Sequence, residues 1–144
     1  MERAKGDDPP QTLRRSLNCG EAKEMIAAGM AIGSHTHPHA VLSQLSRDEQ
    51  RRELTLSREL LNQNLGISAD VLAYPVGKTS SFSNQSQELA RAAGYRAAFS
   101  FYGGVNLNGK IAPYDVRRIG IAGQSSTRFR VDAAVCKATG RYWP

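Results

Sequence analysis

Apolar residues along this chain come in two patterns. Some recur at helical spacing on polar backgrounds, and others cluster in short runs. Asn18 with Glu21 three residues on is a helix-start signature, because the cap side chain accepts an N–H and the carboxylate reaches back. Met25, Ile26 and Ala28 supply the apolar face, and Gly29 is placed to end that helix. Ser46-Arg47-Asp48-Glu49 repeats the signature and predicts a longer helix to about Leu65, with Leu54, Leu61 and Leu65 on one face and Gly66 as the stop. Further helices are expected over 85–93, ended by Gly94, and over 127–139. The apolar runs Met30–Ile32, Val71–Tyr74, Tyr95–Phe101 and Val116–Ile121 have the length of buried strands. Loops are expected over 78–84, which is Ser-rich, and over 103–113. Alternating helices and short apolar strands indicate an α/β fold with a parallel sheet. Four strands are too few to close a barrel of about eight. No internal repeat is present. Residues 1–17 are polar, carry Pro9-Pro10 and lack apolar periodicity. They are expected to form a flexible N-terminal arm ahead of a single domain, 18–144.

Composition narrows the function classes. The 144 residues are 40% hydrophobic and 22% charged, the balance of an ordinary globular chain. No run approaches the ~20 apolar residues of a membrane span. The first residues contain no apolar core of a signal peptide, so the chain as it stands reads as cytoplasmic. Nineteen Lys and Arg against thirteen Asp and Glu give a net charge of +6. The arginines are dispersed and not interleaved with aromatic residues, so solvated surface charge is expected and not nucleic-acid binding. Cys19 and Cys136 are far apart and outside any Cys-x-x-Cys pair. They read as two buried thiols of a reducing compartment.

All three histidines lie within five residues, His35-Thr36-His37-Pro38-His39, just after an apolar run. That position puts imidazoles at the C-terminal edge of a sheet, where α/β proteins build their sites. A turn between His35 and His39 brings both rings to one ion, and imidazole nitrogen suits Zn²⁺ or a related divalent metal. The competing reading is a His-rich polar loop; spacing and position favour ligation. Two imidazoles need a further ligand, usually a carboxylate.

Ala27 to His39, with Ile32-Gly33-Ser34-His35 and His39, resembles the second motif of the polysaccharide deacetylase (NodB-homology) family, related to carbohydrate esterase family 4. The resemblance runs on through Leu42, Leu45-Ser46, Glu53 and Ser57. Leu72-Ala73-Tyr74-Pro75-Val76-Gly77 is similar to the family's third motif. Ala92 to Ser100 matches the following helix–strand passage, and Val116-Arg117-Arg118-Ile119 the last strand. The resemblance covers about residues 18–121. It implies a deformed (β/α) barrel, here in partial form without its N-terminal strands, that removes acetyl groups from an acetylated glycan. It implies a Zn²⁺ or other divalent metal on His35 and His39 and an oxyanion donor in the backbone N–H of Val76. It also implies a groove shaped by Tyr74 and Pro75.

The sequence departs from the family pattern in three places. The first motif, Thr-Phe-Asp-Asp, should supply a general base and the third metal ligand. Here Asp7-Asp8 is available, but only six residues precede it and Pro9-Pro10 follows, so solvated terminal charges are the default reading. No histidine follows His39 to serve as the family's general acid, which leaves His37 as a candidate for that role. Ala73 replaces an arginine of the third motif's alternative form. An incomplete form is therefore expected, with weak metal binding and open sheet edges that invite a second copy or another chain. A catalytically inactive carbohydrate-binding remnant and a metal-binding module of the same fold are the alternatives.

Overall fold

The computed structural model of the chain describes residues 16–106, 111–120 and 126–139. The described residues fall into two compact units, one ending at Ala31 and the other beginning at Ile32. In the first, Asn18 caps helix α1 (Cys19–Ala27): its side chain accepts from Glu21 N, and the Glu21 carboxylate accepts from Asn18 N at 2.8 Å. Gly29 follows with φ +86°. Met30 is 55% exposed and pairs with no strand, so the expected strand Met30–Ile32 does not form. Cys19 is exposed, which corrects its reading as a buried thiol; the Cys136 side chain lies outside the described residues.

The second unit contains a short 3₁₀ turn (Leu42–Gln44), helix α2 (Arg47–Leu65), strand β1 (Val71–Ala73), helix α3 (Asn84–Ala92), strand β2 (Ala97–Phe99) and helix α4 (Ser126–Thr139). The second capping box forms as expected, and Gly66 ends α2 at φ +71°. β1 and β2 pair in parallel, Val71 opposite Ala97 and Ala73 opposite Phe99. Single parallel bridges add Ser34 beside Leu72 and Val116 beside Phe99. The parallel α/β arrangement is therefore present, but pairing is shorter than the apolar runs. The expected run Met30–Ile32 pairs with no strand among the described residues, a single bridge falling just beyond it at Ser34, and Val116–Ile121 contributes only Val116. Among the described residues this is an open array and not a closed barrel.

Close approach sets where the first bridge forms. A Cβ at Gly33 would lie 2.7 Å from the Val71 side chain and 3.1 Å from Val71 O, so glycine lets the two segments close there. Ser34 N then donates to Val71 O at 2.9 Å, and Ala73 N to Ser34 O at 2.8 Å.

The core of this unit gathers Leu42, Leu54, Leu72, Tyr74, Phe82, Leu89, Ala90, Tyr95 and Ala98. Each buried leucine contributes about 1.5–3 kcal/mol. The inward side of α2 is half polar. Gln50 and Ser57 are buried with Leu54, while Leu61 and Leu65 are only partly covered. Gln50 donates to Leu45 O and accepts from the Ser86 hydroxyl at 2.8 Å. Ser57 joins the hydroxyls of Ser34 (2.8 Å) and Tyr95 (3.1 Å), and Tyr95 donates onward to Leu54 O. This buried hydroxyl chain fastens α2 to the segment leading into His35, because each buried polar atom must find a partner.

Tyr74 is fully buried, its ring stacked on Phe82 at 4.1 Å and its hydroxyl donating to Tyr114 O. Burial first, then the Asp115 carboxylate and Tyr114, push this hydroxyl well above its ordinary pKa. A folded-state pKa above the unfolded one favours the protonated form. Its stability contribution is complete below about pH 10 and lost as pH rises past that value. Tyr102, raised by burial and by its hydrogen bond to Asp115, acts in the same direction. The Tyr74→Phe variant should therefore lose less stability than the wild type between about pH 9 and pH 11 in denaturant titrations. Equal losses in the two proteins would assign the alkaline sensitivity elsewhere.

Candidate active site

The C-terminal ends of the parallel segments form one rim. His35 follows the Ser34 bridge, Tyr74-Pro75-Val76-Gly77 follows β1, Ser100-Phe101 follows β2, and Arg117-Arg118 follows the Val116 bridge. Adjacent segments stand about 4.8 Å apart, so the sequence-predicted residues become neighbours on this edge.

His35 and His39 come together. Their ring centroids are 4.8 Å apart and the planes meet at 68°. The turn that achieves this places both Thr36 (φ +60°) and His39 (φ +59°) in the left-handed region, at a cost of order 1 kcal/mol or more each. The Thr36 hydroxyl oxygen is buried without a hydrogen-bond partner among the described residues. His35 Nδ1 lies 2.7 Å from Ala73 O. A carbonyl can only accept, so Nδ1 carries a proton, and in the neutral form this tautomer leaves the lone pair on Nε2. Fixing a ligand ring through its other nitrogen is the usual support of a metal-bound histidine.

His37 does not join this ring contact. It is exposed, and its backbone N donates to the Glu53 carboxylate of α2 at 3.4 Å. A shallow cleft runs between residues 33–37 and Ser57, Leu60 and Leu61 of α2.

The two imidazoles fit as two ligands of a divalent ion in donor chemistry and proximity, and His35 in tautomer as well. Among the described residues no group of three His, Cys, Asp or Glu side chains converges, so a third protein ligand is not found there. Asp7 and Asp8 lie outside the described residues.

Val76 has φ +64°, an uncommon conformation for a β-branched residue. Gly77 N donates to Pro75 O at 2.7 Å and closes a tight three-residue turn around it. Among the described residues the Val76 N–H has no acceptor, so it stands available at the rim. Tyr74 and Pro75 are buried under this turn, and the Tyr74 side chain is occupied by Phe82 and Tyr114. Their part in a groove would be to hold the turn.

Sequence reasoning had quoted Glu53 and Ser57 only as matches to the family pattern, without a role. It gave none to Phe101, nor to Asp115, whose Oδ2 accepts from the Tyr102 hydroxyl while Oδ1 is buried without a partner. Ser57 could have been found as a polar residue on the apolar stripe of α2, one turn after Leu54.

A family model described as polysaccharide deacetylase matches residues 14–98, which include His35, His39 and the 74–77 turn. YxkH of Bacillus subtilis (strain 168), provisionally named a polysaccharide deacetylase, is 29% identical over 76 residues, 53% of this chain and 26% of YxkH. Among solved structures, the deacetylase PplD of Streptococcus pyogenes, in complex with acetate, is 26% identical with a TM-score of 0.70. That match covers 82% of this chain and 50% of PplD. BC0361, a polysaccharide deacetylase from Bacillus cereus, is 22% identical with a TM-score of 0.69 over 83% of this chain and 37% of that one, a likeness of fold. The chain thus spans half or less of the length of these relatives.

Proposed function

Because the chain belongs to the polysaccharide deacetylase family, we propose that it serves a metal-dependent hydrolase that removes acetyl groups from a glycan. The observation that carries this reading is the adjacent pair His35 and His39, in edge-on contact, with His35 oriented by Ala73 O. These two rings would hold Zn²⁺ or another divalent ion. When bound, such an ion supplies Lewis-acid polarisation of the acetyl carbonyl and an activated water.

The chain's own groups then have distinct tasks. Water adds to the acetyl carbon, the bond from that carbon to the sugar nitrogen or oxygen breaks, and acetate leaves. The free Val76 N–H would donate to the developing oxyanion, a contribution typically of about 3 kcal/mol. The strained turn at Val76 supplies that donor without reorganisation during the reaction. His37, exposed beside the pair, is positioned as a candidate proton donor to the leaving group. The family resemblance would assign the third ligand and the general base to carboxylates, and among the described residues none joins the ring pair.

The test is acetate release from tetra-N-acetylchitotetraose by the zinc-loaded chain. Release above the metal-stripped control is expected. A folded, zinc-retaining chain that frees no acetate would overturn the activity and leave the non-catalytic reading.

A further inference from the structure

Phe101 is the one phenylalanine or tyrosine among the described residues that is largely open to solvent, at 49% exposure; the others are buried or half-buried. It stands on the same rim as the site just described. Its backbone N donates to Gly77 O at 2.7 Å, which joins it to the Val76 turn. Val76, in that turn, is itself 47% exposed, so the turn and the segment joined to it each expose an apolar side chain.

The ring is held, not loose. The Arg118 guanidinium lies 5.5 Å from its centroid, and Arg118 Nε is anchored on Ser100 O at 3.0 Å. Two glycines keep the surroundings clear. A Cβ on Gly77 would sit 2.7 Å from the Phe101 Cβ, and one on Gly120 would sit 3.0 Å from Cζ at the ring's tip. Any other residue at either position would crowd the ring. An apolar face left open next to reactive groups loses favourable burial unless something covers it.

We propose that Phe101 is a stacking platform for a pyranose ring, the sugar unit next to or bearing the acetyl group. The inference rests on the deacetylase reading and adds a specificity-determining residue to it. A pyranose has an apolar C–H face and a rim of hydroxyls. The C–H face would meet the π-face of the aromatic ring opposite the one that the Arg118 guanidinium covers. A planar acetyl group alone would need no such platform; a sugar polymer does.

Titration calorimetry with tetra-N-acetylchitotetraose decides it, on the zinc-loaded full chain. Phe101→Leu keeps apolar volume but removes the flat face, and should weaken binding about tenfold. Phe101→Trp should bind within about threefold of wild type. In turnover the Phe101→Leu defect should fall mainly on KM. Thermal midpoints are measured in parallel. Equal affinity of Phe101→Leu and wild type overturns the platform. So does a loss shared by both variants together with a lowered midpoint, since that marks a packing residue. A wild type that does not bind the oligosaccharide overturns it as well. Ring-dependent binding without acetate release upholds the platform and sinks the deacetylase reading.

Discussion

His35→Ala should lose its zinc. After dialysis against a metal-free buffer the variant is expected to retain less than about one tenth of the wild-type metal. Acetate release should fall at least about a hundredfold, the scale on which even supporting groups of metal sites act. Two effects combine here. The variant removes one of the paired rings, and it leaves Ala73 O without the donor at 2.7 Å that sets the ring's orientation. The same loss is expected of His39→Ala, whose ring stands 4.8 Å from that of His35. His37→Ala should keep the metal, because His37 is exposed and its ring makes no contact with the His35–His39 pair among the described residues. Unchanged zinc content in His35→Ala would refute the ligand assignment.

Gly77→Ala should produce the largest loss of stability. At φ +69° an added Cβ is strained by about 1 kcal/mol, and here it would also sit 2.7 Å from both the N and Cβ of Phe101. That neighbour is backbone and cannot swing away. A destabilisation of roughly 3 kcal/mol is expected, which lowers Tm by on the order of 10 °C. Gly66→Ala is the internal control. It has nearly the same φ, +71°, but nothing within 4 Å of the new methyl. It should cost only the conformational part, about 1 kcal/mol. Calorimetric midpoints that shift equally in the two variants would show that the contact with Phe101 contributes nothing.

The helices were legible because their signals are local. Asn18 with Glu21 and Ser46 with Glu49 act within one turn, and both boxes form. The strands were legible in order but not in length. Tyr95 belongs to an apolar run, yet its ring turns into the core and its hydroxyl seeks Leu54 O, so pairing starts only at Ala97. At the site, His35 and His39 could be paired from their spacing. The bond that selects the His35 tautomer could not, since Ala73 is 38 residues away and contributes only its carbonyl. Phe101 likewise looked like the end of a strand, because nothing in the run Ala97–Phe101 marks which member is left uncovered.

Parallel pairing gives the unit from Ile32 onward a front and a back. The connections at 66–70 and 94–96 precede β1 and β2, away from the rim, and are braced among themselves. Arg58 donates to Ala69 O and Ser68 Oγ, and Asp70 pairs with Arg58 and Arg96 at 3.7 and 3.8 Å. A tether or fusion introduced at the braced connections would leave the histidine side unobstructed, whereas one introduced near Lys78 would crowd the rim.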